Sequence, residues 1–264
     1  NLMSASYALE PNVESEVDKV RFGTSGHRGN ARQSSFNEYH ILAICQAVAE
    51  YRAEQGYQGP LYLGKDTHAL SEPAFATALS VLVANNVNVV IQSDDGFTPT
   101  PVISRLIIAH NRNNNDKADG LIITPSHNPP SDGGIKYNPP HGGPAEGDVT
   151  KIIEKRANDI IARGLLDVKQ ASHQQVVGST LVGKQDFIAF WIPKLNENKS
   201  TFIHFAFESY EEVVPINIQP KPDAMLRFFM VYCDGDEISE PPAPQKLNEF
   251  SRKGLTVVEW GGGP

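Results

Sequence analysis

Apolar residues recur at helical spacing in four stretches of the chain. Those of the first stretch are Ile41, Leu42, Cys45, Val48 and Ala49. Their spacing of three or four residues predicts an amphipathic helix. The preceding residues 35–38, Ser-Phe-Asn-Glu, have the form of a capping box, and Gly56 is a typical stop signal. The same periodicity predicts further helices that begin at Ser71, Thr100 and Asp148.

Short, continuous apolar runs alternate with these helices. They cover residues 61–64, 87–91 and 120–123, and such runs are typical of strands buried on both faces of a sheet. The alternation predicts an α/β fold, with a mainly parallel or mixed sheet and helices on both faces. A long loop, residues 124–147, then leads to the fourth helix, which Asp148 is expected to cap and Gly164 to end. Because the loop leaves the carboxyl end of a strand, it is the expected place for a ligand.

The pattern changes after about residue 188, where prolines become frequent and short apolar runs suggest strands at 202–207, 225–232 and 255–260. We therefore predict three segments. Residues 1–18 form a polar lead-in, residues 19–188 form the α/β domain, and residues 189–264 form a small strand-rich unit that carries no recognised motif.

The amino-acid composition and net charge indicate which classes of partner the chain is suited to bind. The chain has 264 residues, 40% of them hydrophobic and 20% charged, and a formal net charge of -8. This balance argues against nucleic acid or an anionic membrane as the main partner, although a local basic cluster can still bind phosphate. With 2 cysteines and no apparent signal peptide or membrane-spanning run, we expect a reducing, cytoplasmic location. The sequence does not specify an oligomeric state.

The loop after the third apolar run carries the strongest chemical signal. Residues 124–136 read Thr-Pro-Ser-His-Asn-Pro-Pro-Ser-Asp-Gly-Gly-Ile-Lys. Prolines restrict the backbone around Ser126 and His127, and two glycines allow a tight return that could bring Lys136 back towards the serine. A serine hydroxyl needs a base or a metal to become a good nucleophile, and a lysine is a good point charge against phosphate. The alternative is a surface loop with an incidental serine.

Two other loops accompany it. Residues 22–29, Phe-Gly-Thr-Ser-Gly-His-Arg-Gly, are spaced by small residues that let backbone N–H groups approach an anion. Arg28 can give a phosphate two parallel hydrogen bonds. Residues 96–101, Gly-Phe-Thr-Pro-Thr-Pro, form a rigid loop before the third helix. Taken alone, the first of these loops is better interpreted as an ordinary turn with a solvated arginine, and the second indicates only a structured loop.

In this order, the three loops resemble the phosphohexomutase superfamily, most closely its bacterial phosphoglucomutases. The resemblance covers roughly residues 15–185 and implies a first, catalytic-serine domain. It implies that Ser126 is a phosphoserine, that Arg28 and Lys136 are catalytic basic residues, and that His127 is the histidine beside the serine. The implied substrate is a hexose phosphate: glucose 1-phosphate is converted to glucose 6-phosphate through glucose 1,6-bisphosphate.

The resemblance also implies Mg²⁺, held by the phosphate on Ser126 and by three aspartates of a second domain. The nearest match to that metal loop is Asp234-Gly235-Asp236, which lacks the third aspartate and the arginine that complete the motif. Asp234 and Asp236 are therefore weak metal candidates, and a surface turn is the favoured interpretation.

Three hypotheses remain open at this point. The first is a phosphoglucomutase-type enzyme. The second is a non-catalytic phosphosugar-binding module, because the family's sugar-reading and phosphate-clamping loops are not found. The third is a fused or truncated product whose tail makes protein contacts. A serine hydrolase is disfavoured because no Gly-x-Ser-x-Gly surrounds Ser126, and a dinucleotide enzyme because no strand leads into Gly-x-Gly-x-x-Gly.

Overall fold

The computed structural model describes residues 2–23 and 26–191, and the backbone of two short strands at residues 200–204 and 225–229. The chain divides into two compact units, Asn1–Phe187 and Ile188–Pro264. The limits predicted from sequence for the three segments remain predictions. Among the described residues, none of the helices combines the length and apolar character needed to cross a bilayer.

The first unit alternates helices and strands along most of its length. Its helices are α1 (Leu2–Ala8), α2 (Glu38–Gln55), α3 (Ser71–Ala84), α4 (Thr100–Asn113), α5 (Gly147–Ala162) and α6 (His173–Val177). Its strands are β1 (Gly26–Asn30), β2 (Leu61–Lys65), β3 (Val89–Gln92), β4 (Asp119–Ile123), β5 (Asp132–Asn138) and β6 (Val182–Gln185). A short 3-10 helix occupies Ala31–Gln33.

The six strands form one mixed sheet in the order β1-β5-β4-β2-β3-β6. Strands β4, β2, β3 and β6 run parallel, whereas β5 and β1 add an antiparallel pair at one side. The parallel strands therefore share one carboxyl edge, and β4 is the last of them before the antiparallel pair. This arrangement, with relatives of the same fold described below, confirms the predicted α/β class.

Helices cover both faces of the sheet. Leu61, Leu63, Leu121 and Ile123 belong to a core that also contains buried residues of α2, α3 and α5. The alternate positions Gly64 and Gly120 face Ile103 of α4 instead. A Cβ added at Gly64 would lie 3.2 Å from the Ile103 side chain, and one added at Gly120 would lie 2.7 Å from it. Side chains alternate between faces along a strand. The core therefore lies in two layers, one on each side of β2 and β4.

The helix predictions hold in position but not in every capping detail. Helix α2 begins at Glu38, and its capping box is formed by Asn37 and His40 rather than by Ser35 and Glu38. Ser35 instead accepts a hydrogen bond from the backbone N–H of Asn30. The predicted box was wrong because asparagine is as good an N-cap as serine, and here it stands one position before the first helical residue.

The fourth predicted helix, α5, starts at Gly147 after the N-cap residue Glu146, which makes no side-chain cap bond. The expectation that Asp148 caps it is therefore wrong. The acidic side chain of Asp148 still stabilises the first turn through its interaction with the helix dipole. Gly164 follows the last turn with a φ of +69°, as predicted for a stop. The apolar periodicity of this helix also predicts Ile152 on its buried face, but Ile152 is 44% exposed.

The larger difference is the loop predicted over residues 124–147, which contains strand β5. This strand pairs with β4 on one side and with β1 on the other. Residues 132–138, Asp-Gly-Gly-Ile-Lys-Tyr-Asn, carry two glycines near their start, and their apolar alternation is limited to Ile135 and Tyr137, so the sequence gives little strand signal. The pairing places Lys136 opposite Ile122 of β4 and opposite Gly26 of β1.

In the second unit, strands β7 (Ser200–His204) and β8 (Met225–Phe229) form a parallel two-stranded sheet. They overlap the strands predicted at 202–207 and 225–232. The strand predicted at 255–260 and the metal candidates Asp234 and Asp236 lie outside the described residues.

Candidate functional site

The candidate site lies at the carboxyl edge of β2 and β4. These strands are parallel neighbours, so the residues that follow them emerge side by side. Asp66 follows β2, and its backbone N–H donates to the carbonyl of Ile123, the last residue of β4, across 3.0 Å. Thr124 continues from β4 and donates its N–H to the carbonyl of Gly134 on β5, across 2.8 Å. The serine loop is therefore attached to the sheet on two sides at its first residue.

Ser126 has an unusual backbone conformation at the start of this loop. Its φ is +74°, in the left-handed region that non-glycine residues seldom occupy. Its N–H donates to the hydroxyl of Thr124 across 2.9 Å, and its side chain is half-buried. Such strained residues persist only where the surrounding structure determines them, and they cluster at functional sites. The strained backbone therefore marks Ser126 as the candidate functional serine of this loop.

Lys136 reaches Ser126 from the neighbouring strand. It lies within β5, is 8% exposed, and its Nζ donates to Ser126 Oγ across 2.5 Å. The close approach depends on Gly134, because a Cβ there would lie 2.4 Å from the carbonyl oxygen of Thr124 and 2.7 Å from the α-carbon of Pro125. The glycine predicted to allow a tight return thus lies against the loop, and the lysine follows it on the strand.

Arg28 reaches the same hydroxyl from the third strand in the row. It lies on β1, donates from Nε to the carbonyl of Pro125 across 3.0 Å, and places Nη2 3.5 Å from Ser126 Oγ. Strand β1 can pack closely on β5 because Gly26 has no side chain; a Cβ there would lie 2.3 Å from the carbonyl oxygen of Ile135. Two cationic side chains, Arg28 and Lys136, therefore converge on one serine oxygen.

His127, the fourth residue predicted for the site, differs from the other three. It is exposed, and within residues 2–23 and 26–191 its side chain makes no hydrogen bond or ion pair. It stands beside Ser126 in sequence without contacting the serine hydroxyl. Its place on the open side of the loop is compatible with contact to a bound molecule.

The loop 96–101, the third of the predicted loops, also lies at this edge. The backbone N–H of Thr98 donates to the carbonyl of Lys65, the last residue of β2, across 2.8 Å. Thr98 is 3% exposed and its neighbour Phe97 is 54% exposed. The structure thus places all three predicted loops at, or on strands leading to, one end of the sheet.

Two residues without an assigned role in the sequence complete the surroundings of the serine. Asp66 accepts hydrogen bonds from the Ser71 hydroxyl across 2.5 Å and from His68 Nδ1 across 3.0 Å. It also accepts one from the side chain of Thr124. Burial raises the pKa of Asp66, but the hydrogen bonds it accepts outweigh burial and hold that pKa below its usual value. Asp66 is therefore an anion at neutral pH.

His68 extends this network to the far side of the serine. Its Nε2 lies 3.0 Å from the carbonyl oxygen of Asn128, and its side chain is 2% exposed. On the opposite flank, the Asn128 side-chain amide donates to Asp132 Oδ2 across 3.1 Å, and the Asn30 amide donates to Asp132 Oδ1 across 3.0 Å. Asn128 is thus held through both its backbone and its side chain.

Sequence reasoning missed Asp66 and His68, but a usable signal was present. Asp66 lies two residues after a predicted buried strand, and Ser126 lies three residues after another. Because residues at the carboxyl ends of neighbouring parallel strands meet at one edge, polar residues in these two places are candidates for contact.

A magnesium site cannot be built from the described side chains. Over residues 2–23 and 26–191, no three His, Cys, Asp or Glu side chains come together in a way that could hold a metal ion. The two metal candidates from the sequence, Asp234 and Asp236, lie outside the described residues. Around Ser126 the described side chains place two cationic groups, those of Arg28 and Lys136, beside one serine hydroxyl, an arrangement that suits an anionic group on the serine.

Comparison with known proteins finds similar sequences among phosphoglucomutases and related mutases. The sequence model described as phosphoglucomutase/phosphomannomutase, alpha/beta/alpha domain I, matches residues 19–163. A phosphoglucomutase of Komagataeibacter xylinus is 50% identical over 195 residues, which are 74% of this chain and 35% of that protein. A phosphoglucosamine mutase of Deinococcus radiodurans is 32% identical over 143 residues, 54% of this chain and 30% of that protein. The chain thus spans about a third of the length of these curated relatives.

Solved structures share the fold at lower identity. Parafusin, a phosphoglucomutase of Paramecium, matches with a TM-score of 0.56 and 20% identity over 72% of this chain and 36% of that one. A crystal structure described as a phosphomannomutase of Thermus thermophilus matches with a TM-score of 0.53 and 24% identity, over 67% of this chain and 36% of that one. These likenesses concern the fold.

Proposed function

Because this chain belongs to the phosphoglucomutase/phosphomannomutase family through its alpha/beta/alpha domain I, we propose that it carries the phosphoserine half of a phosphoglucomutase-type active site. The proposed reaction interconverts glucose 1-phosphate and glucose 6-phosphate, in the cytoplasm, through glucose 1,6-bisphosphate. The observation that carries the proposal is the convergence of Lys136 and Arg28 on the hydroxyl of Ser126, at 2.5 and 3.5 Å.

In the proposed reaction, Ser126 carries a phosphoryl group. The bond between its Oγ and phosphorus breaks while the free hydroxyl of a hexose monophosphate forms a new bond to phosphorus. The sugar hydroxyl loses a proton and Ser126 Oγ gains one. The bisphosphate then turns over and returns its other phosphoryl group to the serine. Phosphoryl transfer depends chiefly on alignment and on neutralising charge, so the side chains nearest the serine oxygen matter most.

The two cations have different tasks in this scheme. Arg28 donates from Nε to the carbonyl of Pro125 and presents Nη2 to the serine side chain, an arrangement that suits the binding of phosphate by a guanidinium. Lys136 is within hydrogen-bond distance of Oγ, so it can supply the proton that the leaving serine oxygen needs. His127, on the open side, is proposed to contact the incoming hexose phosphate.

Mg²⁺ is proposed as the cofactor on the family relationship alone. One of its ligands would be the phosphate on Ser126, and its role would be to neutralise charge on that phosphate. Because the described residues supply no set of metal ligands, no step above depends on the ion.

The test is a coupled assay on the 264-residue chain. It supplies glucose 1-phosphate, Mg²⁺ and a trace of glucose 1,6-bisphosphate, follows glucose 6-phosphate, and in parallel weighs the intact chain for bound phosphate. Ser126→Ala should abolish both signals. Ser131→Ala, which removes another half-buried hydroxyl of the same loop, should retain them. Equal phosphate uptake by wild type and Ser126→Ala would overturn the assignment of the nucleophile.

A second candidate function is a phosphosugar-binding module without catalysis. It is favoured by the sequence, in which the sugar-reading and phosphate-clamping loops expected from the family resemblance are not found. Without such loops the reacting groups would stay open to water, whereas phosphoryl transfer to a sugar needs water excluded. Titration calorimetry with glucose 6-phosphate separates the two: binding by a folded chain that shows no turnover supports the module, and no heat at millimolar sugar phosphate excludes it.

A further inference from the structure

We propose that Asp66 and His68 form a positioning pair, which fixes the serine loop on both sides of Ser126 and so keeps its hydroxyl between Lys136 and Arg28. The proposal rests on the proposed function, since it assigns the pair a role in phosphoryl transfer at Ser126. Both residues act through the backbone that carries the serine.

The first arm of the pair precedes the serine. The carboxylate of Asp66 accepts a hydrogen bond from the side chain of Thr124. The oxygen of that side chain in turn accepts the backbone N–H of Ser126 across 2.9 Å. A hydroxyl has one proton to donate, so its donation to Asp66 turns its oxygen towards the Ser126 amide. The orientation of the Ser126 amide therefore depends on the Asp66 carboxylate, to which it is linked by two successive hydrogen bonds.

The second arm follows the serine. His68 Nδ1 lies 3.0 Å from Asp66 Oδ2, and its Nε2 lies 3.0 Å from the carbonyl oxygen of Asn128. The pair is itself fixed, because the N–H of His68 donates to Asp66 Oδ1 across 3.0 Å and Ser71 binds the same oxygen. One carboxylate therefore reaches the backbone at residues 126 and 128, on either side of His127.

The backbone conformation of Ser126 explains why two anchors are needed. A φ of +74° costs a non-glycine residue energy, and the loop would relax to an ordinary conformation if the neighbouring peptides were free to turn. Relaxation rotates the Cα–Cβ bond and moves Oγ away from the two cations. Since a displacement of about 1 Å can reduce the rate of an aligned reaction about a hundredfold, a loose loop lowers the rate more than the affinity.

The position of Asp66 and His68 separates them from groups that only support the fold. Asp132 accepts a hydrogen bond from the side chain of Asn128, whereas His68 contacts the backbone carbonyl of Asn128. Both ring nitrogens of His68 face oxygen acceptors, so the contact with the carbonyl of Asn128 requires a proton on Nε2. That statement can be tested on the unmodified protein.

The experiment compares His68→Ala, Asp66→Ala and His68→Gln with a matched control, His110→Ala, in the 264-residue chain. His110 also contacts a backbone carbonyl, that of Asp116, across 3.1 Å, and lies near the same residue's carboxylate, but it sits at the end of α4 away from the serine loop. The first readout is amide hydrogen exchange at Ser126, with Leu121 in the middle of β4 as the internal reference.

We expect exchange at Ser126 to be at least tenfold faster in His68→Ala and Asp66→Ala, with Leu121 unchanged, and to be unchanged in His110→Ala. His68→Gln, whose side-chain amide can donate to the Asn128 carbonyl, should recover part of the protection. Equal exchange at Ser126 in His68→Ala and His110→Ala would overturn the proposal. If His68→Ala does not fold, nitrogen-15 spectra of wild-type His68 decide: an Nε2 without a proton overturns the contact.

The second readout is phosphate transfer from glucose 1,6-bisphosphate to Ser126, followed by intact mass. His68→Ala should lower the maximal rate at least tenfold, with little change in the half-saturating bisphosphate concentration, and His68→Gln should recover part of the rate. A wild-type chain that takes up no phosphate at Ser126 would count against the proposed function, whereas the exchange data would still decide whether the pair positions the loop.

Discussion

Lys136 Nζ and Ser126 Oγ lie 2.5 Å apart across ten residues of chain. The contact exists because β5 returns antiparallel to β4 and brings Lys136 opposite Ile122, near the end from which the serine loop leaves. The lysine is 8% exposed, so its ammonium group beside the serine oxygen is largely shielded from water. A charge in such a place interacts more strongly with a phosphate than one on the surface does.

We therefore predict that Lys136→Met slows phosphate transfer to Ser126 by about 10²- to 10⁴-fold, the range typical for loss of a general acid or base. The change keeps the length of the side chain and removes its charge. The measurement is the rate of phosphate uptake from glucose 1,6-bisphosphate. Lys155→Met is the control, because Lys155 is an exposed lysine paired with Asp159 on α5. Equal rates in the two variants would exclude a role for Lys136 in transfer.

Gly134→Ala tests the packing beneath the serine loop. A Cβ at this position would lie 2.4 Å from the carbonyl oxygen of Thr124 and 2.7 Å from the α-carbon of Pro125, so backbone has to move. We expect a loss of about 1–3 kcal/mol in the free energy of unfolding, measured in urea, together with faster amide exchange at Ser126. Gly147→Ala is the control, since a Cβ there meets nothing within 4 Å. Unchanged stability and exchange in Gly134→Ala would contradict the packing described.

Particular residues show how far the sequence could predict this site. The string around Ser126 was sufficient to predict that Lys136 lies near the serine, because the nearby glycines suggested a return of the chain, and the structure confirms that contact. The strand that accomplishes the return was missed, since Asp132–Asn138 is short of the apolar alternation that marks a strand. Its stability comes from pairing on both sides, with β1 and β4, and such long-range pairing leaves no local pattern.

The network of Asp66 and His68 was missed for a related reason. Each residue is unremarkable beside its sequence neighbours, and their importance arises from the parallel pairing of β2 with β4. Helices α2 to α5 were predicted well, because their apolar periodicity reports directly on the face that is buried. Periodicity gives no information on which loops meet at the end of a sheet.

A buried ion pair lies at the amino end of β4, opposite the end from which the serine loop leaves. Arg52 and Asp119 form an ion pair, both almost fully buried, and Tyr137 donates its hydroxyl to Asp119 Oδ2 across 2.6 Å. Burial lowers the pKa of Arg52 to about 10. The arginine therefore stays charged at neutral pH, and removal of its partner would leave a buried charge uncompensated.

We expect Asp119→Ala to lower the free energy of unfolding by about 3–5 kcal/mol, and Tyr137→Phe by about 1–3 kcal/mol. Urea denaturation measures both. The matched control is Asp159→Ala, which breaks the exposed pair with Lys155 and should cost less than about 1 kcal/mol. A cost for Asp119→Ala no larger than that of the control would show that the buried pair contributes nothing specific.

His27 makes the stability of the domain depend on pH. It is 2% exposed and stacks on His40 with ring centroids 5.0 Å apart. Burial, with a smaller contribution from the charge of His40, lowers the pKa of His27 to about 3. The ring is thus neutral in the folded chain, and its Nδ1 accepts the N–H of Arg21 across 3.1 Å. In the unfolded chain the same ring takes a proton near pH 6.5.

Between pH 6.5 and about 3, the unfolded chain therefore binds a proton that folded His27 refuses, so stability present above pH 6.5 is lost as the pH falls. From pH 7 to 5.5 this single residue should cost roughly 1 kcal/mol of unfolding free energy. His27→Gln, which keeps an acceptor but cannot titrate, should remove that part of the slope in urea titrations. His173→Gln, at an exposed histidine, should leave the slope as it is. If the wild-type and His27→Gln slopes coincide while both proteins fold, the histidine is protonated in the folded state and its burial does not control acid stability.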